Sequence, residues 1–373
     1  MKVVISAAGT GGHINPGIAV ANKIMEKEPN SEIVFFGTER GLENDLVPRA
    51  GYKLEKIEAY GIENPLSIQN FKQMIKTYKS RKVVKEFLER FKPDIVLGMG
   101  GYICGPVFWA ANSKKIPTVL HESNAYPGRA VKMFAKKANK VLLGFADSKD
   151  RLPGVKNTVV TGNPTKVKKI NISDEMRVEI LKQLGLNSNL PTVLVFGGSQ
   201  GARKINETVI DIIINGRNDK YQFIWATGPS QFDIVKEKLS EHNIDIKNVK
   251  NAKVVPYIYN MEELMNTADV IVCRSGAMTI TEIAIVQKPA IFIPLPSFSA
   301  NRQEDNARVL EKLDAAKVIL NDESNGEILN KYIYEIISDR ERMISMGQNA
   351  GKIAVTDVEE KIYNELKDAI NNK

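Results

Sequence analysis

A glycine cluster closes a short β-branched run and opens a helical stretch twice in this chain. The first is Gly9-Thr10-Gly11-Gly12-His13 after Lys2–Ser6, and the second is Gly197-Gly198-Ser199-Gln200-Gly201-Ala202 after Thr192–Phe196. A strand that ends in glycines and turns at once into a helix is the first step of a βαβ unit. Two such first steps, far apart in 373 residues, mean two parallel sheets. At roughly 100–200 residues per domain the length also suits two domains.

The alternation runs on after each first step. In the first half the expected strands are Lys2–Ser6, Glu32–Phe36, Asp94–Leu97, Thr118–Leu120 and Lys140–Leu143, with helices over Pro16–Lys27 and Ile68–Phe91. In the second half a helix from about Ala202 follows Thr192–Phe196. Further strands are expected at Gln222–Trp225, Lys253–Val255, Val270–Val272 and Ala290–Ile293. Gly162-Asn163-Pro164 reads as the linker, because Gly and Pro interrupt regular structure. The expected domains are 1–163 and 164–356. The terminal stretch Asp357–Ile370 reads as a helix that either closes the second domain or crosses back to the first, as part of 357–373.

The glycine loops carry the first chemical expectation. A helix N-terminus exposes N–H groups and the positive end of the dipole, and glycine lets an anion come close. A third loop, Gly98-Met99-Gly100-Gly101-Tyr102, follows Asp94–Leu97. Open α/β sheets bind ligands outside the carboxyl ends of their strands, so three such loops point to a phosphate-bearing ligand, expected in a cleft between the domains. The spacing is not the G-x-G-x-x-G of a dinucleotide fold, and no Gly-Lys-Ser/Thr of a Walker loop follows.

His13 stands at the edge of the first loop. It is either a general base or a hydrogen-bonded capping histidine, and spacing does not separate the two. His121-Glu122-Ser123-Asn124 follows a strand, so all four are expected in a loop near the same face, suited to sugar hydroxyls or a carbonyl, or forming simply a hydrogen-bonded turn, which the motif alone slightly favours. Glu282 lies on a helix after Ser275-Gly276-Ala277-Met278-Thr279, where a carboxylate can accept a ribose hydroxyl pair or simply face solvent.

The formal net charge of +8 suits an anionic partner. Ile68, Phe71, Ile75, Tyr78, Val84, Phe87 and Phe91 recur near helical spacing among Lys72, Lys76, Lys79, Arg81, Lys82 and Lys85. A basic amphipathic helix of this kind can lie on an anionic bilayer or simply pack on a core. A second basic run over Arg129–Lys140 tilts the reading toward membrane contact. Aromatics do not interleave with the lysines as a single-strand groove requires, so no nucleic-acid partner is expected. No apolar run reaches the ~18 residues of a span, so any membrane contact is peripheral. The apolar N-terminal run stops at Gly9 and reads as a strand rather than a signal core. Two distant cysteines, Cys104 and Cys273, suit a reducing cytoplasm. There is no Asp-x-Asp and no metal-ligand cluster in the sequence.

Taken together the motifs resemble a known family. Gly9-Thr10-Gly11-Gly12-His13-Ile14-Asn15-Pro16-Gly17 is similar to the opening of the undecaprenyldiphospho-muramoylpentapeptide N-acetylglucosaminyltransferases of glycosyltransferase family 28, which convert lipid I to lipid II. Gly98–Tyr102, His121–Gly128, Gly162-Asn163-Pro164, Gly197–Ala202, Arg274-Ser275-Gly276-Ala277 and Gln303-Glu304-Asp305-Asn306-Ala307 follow in family order. The resemblance implies the GT-B fold, an α/β architecture of two Rossmann-like domains with parallel sheets facing a central cleft. It implies UDP-GlcNAc as donor, inversion at the anomeric carbon, no cofactor and no tightly bound metal. The implied donor contacts are Thr10, Gly11, Gly12, Asn124, Lys166, Ser199, Ile258 and Gln303, with Glu282 on the ribose and His13 as catalytic base. The implied acceptor is lipid I, and the implied location is the cytoplasmic face of the cell membrane, held peripherally by its anionic inner-leaflet surface.

Two positions depart from the family pattern. Lys166 stands where the family usually has Arg, which keeps the charge and loses the bidentate fork. Ser123 stands where it usually has Gln. Neither removes the candidate base, and both leave room for a related transferase with another lipid or soluble acceptor. An epimerase or hydrolase acting on a UDP-sugar with the same fold is the other rival, separable by its products because an epimerase needs no acceptor.

Overall fold

The computed structural model describes residues 1–61, 68–296 and 302–372. It divides into two compact units. Unit 1 comprises Met1–Thr165 with Val355–Lys373, and unit 2 comprises Lys166–Ala354.

Unit 1 runs β1 (Lys2–Ser6), α1 (Gly11–Lys27), β2 (Glu32–Gly37), α2 (Glu43–Arg49), β3 (Lys53–Lys56), α3 (Ile68–Phe91), β4 (Ile95–Gly98), α4 (Cys104–Ser113), β5 (Thr118–Glu122), α5 (Arg129–Phe134), β6 (Lys140–Leu143) and β7 (Thr158–Val160). Unit 2 runs α6 (Asp174–Gln183), β8 (Thr192–Phe196), α7 (Arg203–Ile214), β9 (Gln222–Ala226), α8 (Phe232–Ser240), β10 (Ala252–Val255), α9 (Met261–Thr267), β11 (Val270–Cys273), α10 (Ala277–Val286), β12 (Ala290–Phe292), α11 (Gln303–Glu311), β13 (Ala316–Val318), α12 (Gly326–Ile337) and α13 (Arg340–Gly351). The last helix, α14 (Val358–Asn371), belongs to unit 1.

Both sheets are parallel throughout, ordered β3-β2-β1-β4-β5-β6-β7 and β10-β9-β8-β11-β12-β13. The order reverses between β1 and β4 in the first and between β8 and β11 in the second. Those are the switch points, where the loops leaving the strand ends part and open a crevice. The glycine clusters after β1, β4 and β8, and Arg274–Gly276 after β11, all stand there.

The strands read as continuous apolar runs because both faces are covered. In β1, Val3 and Ile5 join one core with Ile14, Ile18, Ile24 and the α14 residues Ile362 and Leu366. Val4 joins the other, with Val84, Leu88 and Phe108. In unit 2 Val193, Val195, Ile205, Val209 and Trp225 share one core.

Three local expectations are corrected. His121 and Glu122 are strand residues, not loop residues, because β5 pairs with β6 out to Glu122↔Leu143. Helix α1 starts at Gly11 rather than Pro16, which sits inside it and leaves the Gly12 carbonyl without its usual donor. In α3 the expected apolar stripe splits: Val84 and Phe87 are buried, whereas Ile75 and Tyr78 are exposed. The side chains of Ile68 and Phe71 lie outside the described residues. Strand β3, a polar edge strand of sequence Lys-Leu-Glu-Lys, had no apolar signal to reveal it.

Candidate active site

Unit 1 gathers its polar groups at the carboxyl ends of β1, β4 and β5. Gly9 turns the chain with φ +91°, and Thr10 caps α1 in extended conformation. The Thr10 carbonyl accepts from His13 N at 3.1 Å and Ile14 N at 3.3 Å, so His13 lies in the first helical turn. The Thr10 side chain is exposed and makes no capping bond. The amides of Gly11 and Gly12 open the helix, where no preceding turn supplies a carbonyl. The Gly9 amide is not offered to a ligand, because it donates to the Glu43 carboxylate at 3.0 Å.

The His13 ring rests on Gly100 and Gly101, both with positive φ. A Cβ on Gly100 would lie 3.1 Å from His13 Cε1, so the ring sits close against bare backbone. His13 Nδ1 is buried without a hydrogen-bond partner. Burial holds the imidazole below its ordinary pKa, partly offset by the Met99 carbonyl. His121 is wholly buried; its Nε2 lies 3.0 Å from the Gly162 carbonyl, and its Nδ1 is unpartnered. Burial, opposed by that carbonyl and reinforced by His13, lowers it to about 4. Glu122 is pushed up by burial, opposed by the amides that it accepts from: Asn124 N at 2.9 Å and Gly128 N at 2.7 Å. It also accepts from Asn124 Nδ2 at 3.0 Å, so this carboxyl shapes the Ser123–Gly128 turn and orients Asn124.

Unit 2 builds a second site where β8 passes into α7. Gly198 and Gly201 have φ of +86° and +81°. A Cβ on Gly201 would overlap the Thr227 carbonyl, so only glycine fits. Ala202 caps α7, and Arg203 and Lys204 stand in its first turn. The helix dipole and the open amides of the first turn favour an anion; Lys204 stands on that turn, and Arg203 does too, paired with Glu207 at 2.8 Å. Beside it is a cavity of about 610 Å³, lined among others by Gly198, Arg203, Lys204, Arg274, Gln303 and Asn321. Arg274 Nη1 donates to the Ile293 and Pro294 carbonyls at 2.7 and 2.9 Å and to Asn321 Oδ1 at 2.9 Å, fixing the loop after β12. Gln303 Oε1 accepts from Leu295 N at 2.9 Å.

Of the expected site residues, Thr10, Gly11, Gly12 and His13 share one turn, with Asn124 on a nearby strand end of the same unit. Gln303 lines the cavity of unit 2, and exposed Ser199 sits on its glycine loop. Ile258 (buried), Glu282 (half-buried in α10) and Lys166 (exposed) belong to unit 2 but do not line that cavity. Sequence reasoning missed Arg203, Lys204 and Asn321, and the clamping roles of Glu43, Glu122 and Arg274. The Arg203-Lys204 pair at the start of α7 was a readable signal. Glu43 gave none, since its partner is a backbone amide 34 residues away.

The sequence model described as glycosyltransferase family 28 N-terminal domain matches residues 3–143, and that of the family 28 C-terminal domain matches 192–362. The chain is 41% identical over 370 residues to a UDP-N-acetylglucosamine–N-acetylmuramyl-(pentapeptide) pyrophosphoryl-undecaprenol N-acetylglucosamine transferase of Ruminiclostridium cellulolyticum, covering 99% of this chain and 100% of that one. It is 39% identical to the protein of the same description from Acetivibrio thermocellus, with 100% and 99% covered. Among solved structures, Acinetobacter baumannii MurG superposes with a TM-score of 0.78 at 25% identity, covering 98% and 99%. A UDP-GlcNAc 2-epimerase from Neisseria meningitidis shares the fold, with a TM-score of 0.65 at 17% identity over 99% and 100%. With both halves matched by the paired family models and full-length relatives at this identity, the chain belongs to glycosyltransferase family 28.

Proposed function

We propose that this enzyme transfers GlcNAc from UDP-GlcNAc to the 4-hydroxyl of the muramoyl sugar of lipid I, giving lipid II with inversion. The observation that carries the reading is the α7 N-terminus, where the glycine loop, Arg203 and Lys204 line one cavity. A departing nucleoside diphosphate gains negative charge as its bond to the sugar breaks. Preorganised donors that meet this charge are worth a few kcal/mol each.

The reaction is a single in-line displacement. The acceptor oxygen forms its bond to C1 of GlcNAc while the bond from C1 to the UDP oxygen breaks. The hydroxyl proton passes to His13. Burial keeps the ring neutral, as a base must be before it acts. Thr10, Gly11, Gly12 and Asn124 contact the transferred sugar and acceptor, Glu282 the ribose, and Lys166, Ser199, Ile258 and Gln303 the rest of the donor. Orientation of the two substrates supplies much of the remaining rate.

The same reading places the enzyme peripherally on the anionic inner leaflet, where a polyprenyl acceptor resides. No described helix is long and apolar enough to cross a membrane. On unit 1, Met74, Tyr78, Trp109 and Met133 are exposed apolar side chains, and the Arg81 guanidinium lies over the rings of Tyr78 and Trp109, 2.9 and 3.8 Å from their centroids. Exposed Lys72, Lys76, Lys79 and Lys82 share α3 with Met74 and Tyr78, and exposed Lys132 precedes Met133 on α5; of these Lys76 is paired with Glu58. Exposed apolar side chains on the same helices as lysines suit an anionic interface, at about 1 kcal/mol per cation near the surface.

The test is incubation with UDP-GlcNAc and a lipid I analogue. The expected result is the GlcNAc-muramoyl disaccharide with release of UDP. Conversion of UDP-GlcNAc without acceptor would replace the reading with epimerisation. Transfer to a different lipid, and not to lipid I, would replace the acceptor.

A further inference from the structure

Glu43, in the first turn of α2, is fully buried. Its Oε1 accepts from Thr38 N and Thr38 Oγ1, both at 2.8 Å, and its Oε2 accepts from Gly9 N at 3.0 Å. Thr38 follows β2 and Gly9 follows β1, which are neighbouring parallel strands with Ser6 opposite Phe36. One carboxylate therefore ties together the loops that leave two adjacent strand ends. The surrounding backbone is cleared for it: a Cβ on Gly37 would lie 2.6 Å from Glu43 Cγ, and a Cβ on Gly41 would overlap the carboxylate itself. Among the described residues no cation forms an ion pair with it. A buried carboxylate held by neutral donors alone is unfavourable unless its hydrogen bonds are good. The simplest apolar filling of this space would leave the Gly9 and Thr38 amides unpaired.

We propose that Glu43 is a positioning residue for the His13 loop. The connection is short and covalent. Glu43 fixes the Gly9 amide; Gly9, at φ +91°, aims the chain into Thr10; the Thr10 carbonyl then receives the His13 amide at 3.1 Å. The anchored end of the loop thus sets where the first turn of α1 begins and where the His13 ring meets Gly100.

This inference rests on the reading of His13 as the base, and the test separates the two. Glu43→Gln keeps shape but places an N–H group against one of the N–H donors. Folded E43Q is expected to lose at least tenfold in kcat, while its Kd for UDP stays within twofold of wild type, because UDP binds in unit 2. A merely structural role would lower the melting temperature and leave kcat of the folded protein alone. Folded E43Q with kcat within twofold of wild type would overturn the proposal. If E43Q does not fold, hydrogen exchange of the Gly9 amide in the wild-type enzyme takes its place. Slow exchange is expected, and exchange as fast as an open loop amide overturns the clamp. His13→Ala measured alongside isolates the other reading: normal kcat there removes the base, whatever E43Q does.

Discussion

His13 and His121 are two imidazoles with a buried, unpartnered Nδ1, and acid acts on them differently. In the proposed mechanism His13 takes the acceptor's proton, so its protonation is read in the rate. His13→Ala should lower kcat by at least ~10²-fold. Its burial places the acid limb of the kcat/KM profile below the ordinary histidine value of 6.5. Near-normal kcat in folded H13A, or an acid limb above that value, would remove the role. His121 is read in stability. Its folded pKa of about 4 lies below the 6.5 of an unfolded histidine, so between these values the unfolded chain binds more protons. Its contribution is complete above pH 6.5 and is lost as pH falls toward 4, amounting to about 3 kcal/mol over the interval. Denaturant melts across that range should show the slope in wild type and a flatter one in His121→Asn. Coincident slopes would show that burial does not set this pKa.

Turns and helix faces carry the next level of function. The β8–α7 loop depends on Gly201, whose φ of +81° and contact with the Thr227 carbonyl exclude any side chain. Gly201→Ala must distort the loop, at a cost of order 1–3 kcal/mol. The expected result is at least tenfold weaker UDP binding by calorimetry, with the chain still folded; unchanged affinity would move the diphosphate elsewhere. Helix α3 divides its labour along its length. Val84, Phe87 and Leu88 hold the core, and the exposed part with Tyr78 offers lysines and rings. Charge reversal at Lys72, Lys76 and Lys79 should weaken co-sedimentation with anionic vesicles several-fold while leaving binding to neutral vesicles unchanged. Equal binding of variant and wild type to anionic vesicles would return this face to ordinary solvent exposure.

Across the whole molecule, α14 makes unit 1 discontinuous in sequence. It buries Val358, Ile362 and Leu366 against the core that holds Ile14, Ile18 and Ile24. Its polar edge meets unit 1 as well: Lys367 and Tyr363 both reach Glu28, and Glu365 pairs with Lys140. Those partners and the amino terminus hold Glu28 down at about 2. Burying three such aliphatic side chains is worth roughly 5–9 kcal/mol, as much as the whole stability of many domains. Deletion of residues 355–373 should therefore leave unit 1 unfolded or aggregated, seen as loss of its cooperative melting transition. A deletion variant that melts like wild type would show that α14 is dispensable.

Much of this was legible in the chain, and the physical reason is locality. Strand, glycine turn and helix are successive in sequence, so the two Rossmann-like units, their switch-point loops and His13 could be read from short runs of residues. Apolar strands such as Val193–Phe196 announce themselves because parallel sheets bury both faces. What is not local was not legible. Whether the last helix closes its own half or returns to the first was open, since an amphipathic stripe does not name the core that it packs on. The extension of β5 through His121 and Glu122 depends on β6 lying beside it. The clamp from Glu43 to Gly9, and the lowered pKa of His121, arise from burial by residues distant along the chain, which only the tertiary structure brings together. The sequence determined which polar groups stand at the strand ends, because each follows its strand directly; the packing decided which of them are held still, because their partners lie far along the chain.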